Sequence, residues 1–167
     1  MTPSLLVPPV QALPPSAPIA PRRSDTISTR VWQEEYASLQ EIYASLNNLS
    51  PKFRLPDLIS ACVSLVFHEP SPGASIFHFL HTRLILRDPD TPRRQEEMWM
   101  PQYQLLLNLQ RSPANHHPHP QFKLDHFTTA CIALVLATSD ARRRILDQAR
   151  RNTAQRAAQP MESRHDS

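Results

Sequence analysis

The sequence predicts a mainly α fold with one short two-stranded antiparallel β-ribbon, built from two copies of a strand–helix–helix unit in a single chain. Three observations predict it. The stretch KFRLPDLISACVSLVF from Lys52 returns sixty-nine residues later as QFKLDHFTTACIALVL from Gln121, with six of the fifteen positions from Phe53 and Phe122 onward identical. Each copy holds one of the two cysteines. Upstream, Trp32 and Tyr36 return as Trp99 and Tyr103, at an offset of 67. A unit present only twice points to a pseudo-symmetric pair, because a solenoid needs three or more.

The elements follow in order. Seven of the eighteen prolines fall in the first 21 residues, and the opening has no basic start and no unbroken apolar run. Residues 1–24 therefore read as a disordered, partly polyproline-II tail and not as a signal peptide. In TISTRV, Ile27, Thr29 and Val31 alternate with Thr26, Ser28 and Arg30, the period of a strand with one semi-apolar face. In QEEYASLQEIYASLN, Tyr36, Leu39, Ile42, Tyr43 and Leu46 recur at helical spacing, and Glu34 and Glu35 sit in the first turn, where the helix dipole favours them. NNLSP is a turn signal. Leu55, Leu58, Ile59, Cys62 and Val66 then form one helical stripe, with Pro56 at the start, where proline is tolerated.

Residues 68–93 link the units, and Ile76, Phe77, Leu80, Leu84 and Ile85 predict an extra helix there. The second unit spans 94–138, with Leu124, Phe127, Cys131, Leu134 and Val135 as its stripe and a two-residue insertion in the turn RSPANHHPHPQ. The paired domain thus covers 25–140, and 141–167 reads as a basic, partly helical tail. The pairing has a physical reason. One strand and two helices bury too little apolar surface to stand alone, and a lone strand leaves a row of unpaired backbone groups. Two units let the strands pair and four helices close one core.

Composition excludes several function classes. One glycine rules out a glycine-rich phosphate loop, and no nucleophile–base constellation stands at a recognisable spacing, so the expectation is a binding module, with no enzymatic activity and no cofactor. His116, His117 and His119 lie in a proline-broken loop without the donors of a tetrahedral set, so a solvated turn is expected and no metal. The cysteines read as small core residues. No apolar run reaches the roughly 18 residues of a membrane span, and a cytoplasmic protein is expected. The formal charge is only +3, yet sixteen of the eighteen basic residues are Arg. That suits phosphate and base-edge recognition; GC-rich coding enriches Arg equally.

STRV, QEEY and PDLI, in that order over residues 26–67, resemble the ribbon-helix-helix DNA-binding family, with the second unit joining through its likeness to the first. A tandem ribbon-helix-helix pseudo-dimer in one chain, behind a proline-rich tail, is similar to the virulence-region accessory group that enhances T-DNA transfer in plant-tumour bacteria, or to conjugative relaxosome factors. The resemblance implies that the ribbon enters the major groove of double-stranded DNA and reads base edges with its outward residues. Carried over, these are Thr26, Ser28 and Arg30 in the first strand and Arg93 and Gln95 in the second, where Glu97 departs from the pattern by standing where the first strand has Arg30. The family also anchors phosphates at the start of the second helix, here Lys52 and Arg54 in one unit and Lys123 in the other.

Arg142, Arg143, Arg144, Arg150, Arg151 and Arg156 read as an auxiliary backbone contact or as a solvated helix face. A fused pair implies a monomer in solution, with relaxosome or partition proteins as partners through the tails. The alternatives are a helical protein-interaction module of antitoxin or adaptor type without DNA binding, and a plasmid transcriptional repressor or partition factor.

Overall fold

The computed structural model describes residues 25–116 and 121–159; the predicted proline-rich tail, His117 and His119 of the histidine loop, and the last eight residues lie outside them. Among the described residues the chain is mainly helical, with one two-stranded antiparallel sheet. The elements are β1 (Thr26–Trp32), α1 (Gln33–Tyr43), α2 (Leu55–Phe67), α3 (Pro72–Thr82), β2 (Arg93–Trp99), α4 (Met100–Gln110), α5 (Leu124–Leu136) and α6 (Ala141–Ala158). No helix among them is long and apolar enough to cross a membrane.

The strands pair with Thr29 opposite Glu96, Arg30 opposite Gln95 and Ser28 opposite Glu97. Opposed residues share a face, so Thr26, Ser28, Arg30, Gln95 and Glu97 lie on one side and Ile27, Thr29, Val31, Glu96 and Met98 on the other. The second side is the inner one, where Thr29, Val31 and Met98 are buried. Beneath it runs α2, buried from Leu58 through Val66, because helices or strands cover it on every side. Phe127, Cys131 and Ile132 of α5, Ile76 and Leu80 of α3 and Leu106 of α4 complete the core. Cys62 and Cys131 are both free and buried, and burial pushes both thiols well above their ordinary range. They behave as inert core residues.

Two buried asparagines organise the turns after α1 and α4. Asn48 accepts a hydrogen bond from the Phe53 backbone N–H at 2.7 Å and donates to the carbonyls of Phe53 and Tyr43 at 2.9 and 3.1 Å. Asn115, 67 residues on, accepts from Phe122 at 2.9 Å and donates to Phe122 and Gln110 at 3.0 and 2.9 Å. By holding the Tyr43 carbonyl, Asn48 fixes the end of α1 one turn short of the predicted stripe. Leu46 consequently lies outside the helix and is 85% exposed. The predicted linker helix also stops early, at Thr82, and a 3-10 turn leaves Ile85 exposed.

The linker is pinned by an ion pair. Arg87 forks onto Glu35 of α1 at 2.8 and 2.7 Å and reaches Glu34 at 3.2 Å. Glu35 is buried, so its dipole role at the helix start is secondary to this pair. The hydrogen bonds to Glu35 hold the Arg87 guanidinium pKa above its ordinary value despite the opposing effect of burial.

The basic segment after Ser139 forms α6, which packs on α2 through Ile145, Leu146 and Ala149. A polar seam fixes its register. Asn152 Nδ2 donates to Ser64 Oγ of α2 at 3.2 Å, Gln148 Nε2 donates to Asn152 Oδ1 at 2.9 Å, and Gln102 Nε2 of α4 donates to the same Ser64 oxygen at 3.0 Å.

Asn48→Ala and Asn115→Ala should each cost about 2 kcal/mol, because each strands buried backbone groups of a phenylalanine. Urea unfolding measures both costs, and the double variant should be additive within about 0.5 kcal/mol, since the two turns share no partner. Arg87→Ala should cost about 3 kcal/mol in the same assay by leaving the Glu35 carboxylate buried without its partner. A loss below about 1 kcal/mol would mean that the carboxylate escapes to water.

Candidate nucleic-acid interface

The outer face of the ribbon presents polar side chains. Arg30, Ser28, Gln95 and Glu97 are exposed, and among the described residues no hydrogen bond or ion pair engages the Arg30 guanidinium. Thr26 Oγ1 donates to Glu97 Oε1 at 2.7 Å, which draws the Glu97 carboxylate toward that end of the ribbon. A shallow depression lined by Ser28, Gln95, Glu97 and Arg54 joins the ribbon face to the start of α2. The structure thus brings Ser28, Gln95 and Arg54 to one surface.

The ends of the ribbon are locked by its two tryptophans. The Trp32 backbone N–H donates to Thr129 Oγ1 of α5 at 3.0 Å, and its indole N–H donates to Asp125 Oδ2 at 2.9 Å. At the other end the Trp99 backbone N–H donates to Ser60 Oγ of α2 at 2.9 Å, and its indole N–H donates to Asp57 Oδ1 at 2.8 Å. Each indole also lies under a guanidinium that touches the same carboxylate. Arg93 is 3.9 Å from the Trp32 ring centroid with Nε 3.2 Å from Asp125. Arg156 is 3.7 Å from the Trp99 centroid with Nη2 3.3 Å from Asp57. Such stacking is worth about 0.5–1 kcal/mol at exposed sites and about 2 kcal/mol where water is excluded.

Arg93, one of the residues expected to read bases, is therefore engaged inside the protein; it also donates to the backbone carbonyls of Pro89 and Thr91. Lys52 is exposed, donates to the Tyr43 carbonyl at 3.0 Å and lies 4.3 Å from the Tyr43 ring centroid. Arg54 and Lys123 are exposed at the N-caps of α2 and α5. Their helix starts are closed differently. Asp57 Oδ2 accepts from the Arg54 backbone N–H at 3.0 Å, so one aspartate both caps α2 and holds Trp99. In α5 the two tasks are split. His126 Nδ1 accepts from the Lys123 backbone N–H at 2.9 Å, while Asp125 holds Trp32.

The split has an electrostatic consequence. Burial, together with the Arg93 and Lys123 cations, lowers the His126 pKa, and the Asp125 carboxylate offsets this only in part. For Asp125, burial raises the pKa, but the Trp32 indole, His126 and Arg93 outweigh it and hold the carboxyl below its ordinary value. The tryptophan locks, the asparagine turns and the α6 anchor are functional scaffolding that local periodicity does not mark. The repeated tryptophans are a visible signal, but their carboxylate partners are offset by 68 residues where the helix repeat is offset by 69.

Protein-family models, curated proteins and solved structures were all compared with the chain, and none matched.

The His126 shift fixes a pH dependence. An unfolded histidine titrates near 6.5 and the folded one lower, so the folded state binds fewer protons between those values, and stability is complete above about pH 6.5 and falls as the pH drops toward the folded pKa. Thermal melts from pH 8 to 5 should show this loss, and His126→Asn, which keeps an acceptor for Lys123 N–H, should flatten it. Asp125 adds a second loss at lower pH, below its ordinary value of 3.8. An identical pH slope in the variant would exclude His126 as the source.

Proposed function

We propose that this chain is a DNA-binding accessory protein, a fused ribbon-helix-helix pseudo-dimer whose β-ribbon enters the major groove. The observation that carries the reading is the exposed Arg30–Gln95 pair near the centre of the ribbon, whose Gln95 lines one depression with Arg54 at the start of α2. A two-stranded ribbon fits the major groove of B-DNA, and Arg to guanine and Gln to adenine are the bidentate pairings that groove favours.

Several regularities support the pseudo-dimer. Adding 67 to each β1 position, and subtracting it from each β2 position, maps the ribbon pairs onto one another, with Thr29 opposite Glu96 on the axis. Asn48 and Asn115, and Trp32 and Trp99, recur at the same offset of 67, while the groups they bond, Phe53 and Phe122 in the turns and Ser60 and Thr129 in the locks, recur at the offset of 69 of the second helix. A fused pair supplies both strands from one chain, so the protein is a monomer in solution. It also lets the halves diverge. On one side of the axis the ribbon offers Arg30 and Gln95, on the other Ser28 and Glu97. A carboxylate accepts from cytosine N4 and repels phosphate. The favoured site is therefore non-palindromic. The process served is conjugative or T-DNA transfer of relaxosome type, in the cytoplasm; a plasmid repressor or partition factor would use the same surface.

A second reading, a helical protein-interaction module without DNA binding, is favoured by the ribbon's two glutamates and by Leu46 and Leu49, which are 85% and 59% exposed.

Fluorescence anisotropy against duplexes from the gene's own neighbourhood and against random duplex, across a salt series, separates the readings. Neighbourhood-selective binding that weakens steeply with salt is expected, because phosphate contacts release counterions. Arg30→Ala should lower selective affinity about 10- to 100-fold, the value of one bidentate base contact, and leave the random-duplex affinity nearly unchanged. No binding even at low salt, with a protein partner co-purifying, would establish the interaction module instead.

A further inference from the structure

Helix α6 concentrates the positive charge of the molecule. With its cap residue Asp140 it carries six arginines against two aspartates, a net +4, on a chain whose total is +3. Arg142, Arg143, Arg150 and Arg151 are exposed and Arg144 is half-buried, and they lie in two rows. Arg143 and Arg150, seven residues apart, lie on the flank facing the turn between α1 and α2; together with Arg142 and Asn47 they line a shallow depression. Arg144 and Arg151 lie on the other flank, where Arg144 donates to Thr138 Oγ1 at 2.8 Å and Arg151 to Gln148 Oε1 at 3.1 Å.

The first row continues toward the ribbon. The Arg150 guanidinium is 6.0 Å from the ring centroid of Phe53, which stands between Lys52 and Arg54. Further along the helix Arg156 bonds Asp57, the residue that caps Arg54. Arg143 and Arg150 do have carboxylate neighbours, Asp140 at 3.0 Å and Asp147 at 3.1 Å. Both pairs are largely exposed, and pairs of that kind are weak enough to be exchanged for a phosphate. At the equivalent point of the other half, the start of α5, Lys123 stands beside Asp125, and the helix packed alongside is α3, whose His81 ring is 5.1 Å from that of Phe122 and which carries no arginine or lysine.

We propose that Arg143 and Arg150 extend the anchor formed by Lys52 and Arg54 into a one-sided track for the phosphates of duplex DNA, so that the footprint is longer on the α2 flank than on the α5 flank. The proposal rests on the DNA-binding reading. DNA is the polyanion of choice because the row is continuous with the ribbon surface through Arg54; an anionic lipid surface would need no such continuity.

The test uses the full chain and a duplex carrying its selected site with long arms on both sides. The variant R143Q/R150Q should lower the slope of log affinity against log salt by about 1.8, two contacts at roughly 0.9 each. The ratio of selective to random-duplex affinity should stay the same. The charge-matched control R144Q/R151Q should leave the slope within about 0.5, and R143K/R150K should restore it. Shortening the duplex arm on the α2 flank should remove the difference between wild type and R143Q/R150Q; shortening the other arm should not. An unchanged slope in R143Q/R150Q, an equal loss in the control, or a footprint symmetric about the site would overturn the track while leaving Arg30-dependent binding in place. Absence of any duplex binding would instead bring down the underlying reading. Binding to vesicles of phosphatidylserine and phosphatidylcholine that depends on Arg143 and Arg150, with duplex binding indifferent to them, would assign the row to a membrane surface and overturn the proposal.

Discussion

The ribbon depends on one arrangement: each strand, where it turns into its helix, is bonded by the long apolar helix of the other strand–helix–helix segment. Two strands in water are marginal on their own. Here Trp32, leaving β1, gives its backbone N–H to α5, and Trp99, leaving β2, gives its backbone N–H to α2. These are the first orphan donors of α1 and α4, and satisfying them across the molecule means that neither segment can complete its helix start without the other. The indole contacts repeat the crossing a few ångströms away. The ribbon is therefore rigid at both ends, and the central residues Arg30 and Gln95 are held in register without needing contacts of their own.

The two ends reach the same result by different routes. At the Trp32 end the covering guanidinium comes from β2 itself, through Arg93. At the Trp99 end the residue opposite in the ribbon is Thr26, which cannot cover an indole, and Arg156 arrives from α6 instead. Helix α6 is thereby tied into the ribbon. Its buried stripe and its seam with Ser64 fix where Arg156 reaches. The same division appears at the helix starts, where Asp57 alone does what Asp125 and His126 share. The two ends thus hold their tryptophans with different sets of residues, and what Arg93 supplies at one end Arg156 of α6 supplies at the other.

Much of the architecture was legible in local pattern. The period-two alternation of β1 placed Thr29 and Val31 inward, and the apolar stripes of α2 and α5 lie in the core where the helical period put them. What was hidden has a common cause. Trp32 with Thr129, Trp99 with Asp57 and Arg156 with Asp57 join residues far apart in sequence, and nothing in the neighbourhood of either partner marks the pair. The end of α1 was misplaced for a related reason. Leu46 continues the helical period, but the backbone turns away when the Asn48 amide takes the Tyr43 carbonyl. Periodicity reports which face could be buried; it does not report which carbonyl a downstream side chain will take. Arg93 shows the same limit for the site, since its position in the strand suits base contact while its guanidinium is held by Trp32 and Asp125.

In the proposed complex the distribution of charge separates affinity from selectivity. The cations that would meet phosphate, Lys52, Arg54 and Lys123, stand beside the ribbon at the helix starts, and their contribution is independent of sequence. The outer face of the ribbon itself places the Glu97 carboxylate near Arg30. A carboxylate pressed toward a duplex is unfavourable wherever it fails to find a donor such as cytosine N4, so Glu97 penalises most sequences and rewards few. A surface of this kind binds random DNA less tightly than an all-basic ribbon would. It discriminates as much by what Glu97 rejects as by what Arg30 accepts, and that gives a physical reason for a DNA-reading face to sit on a chain of such modest net charge.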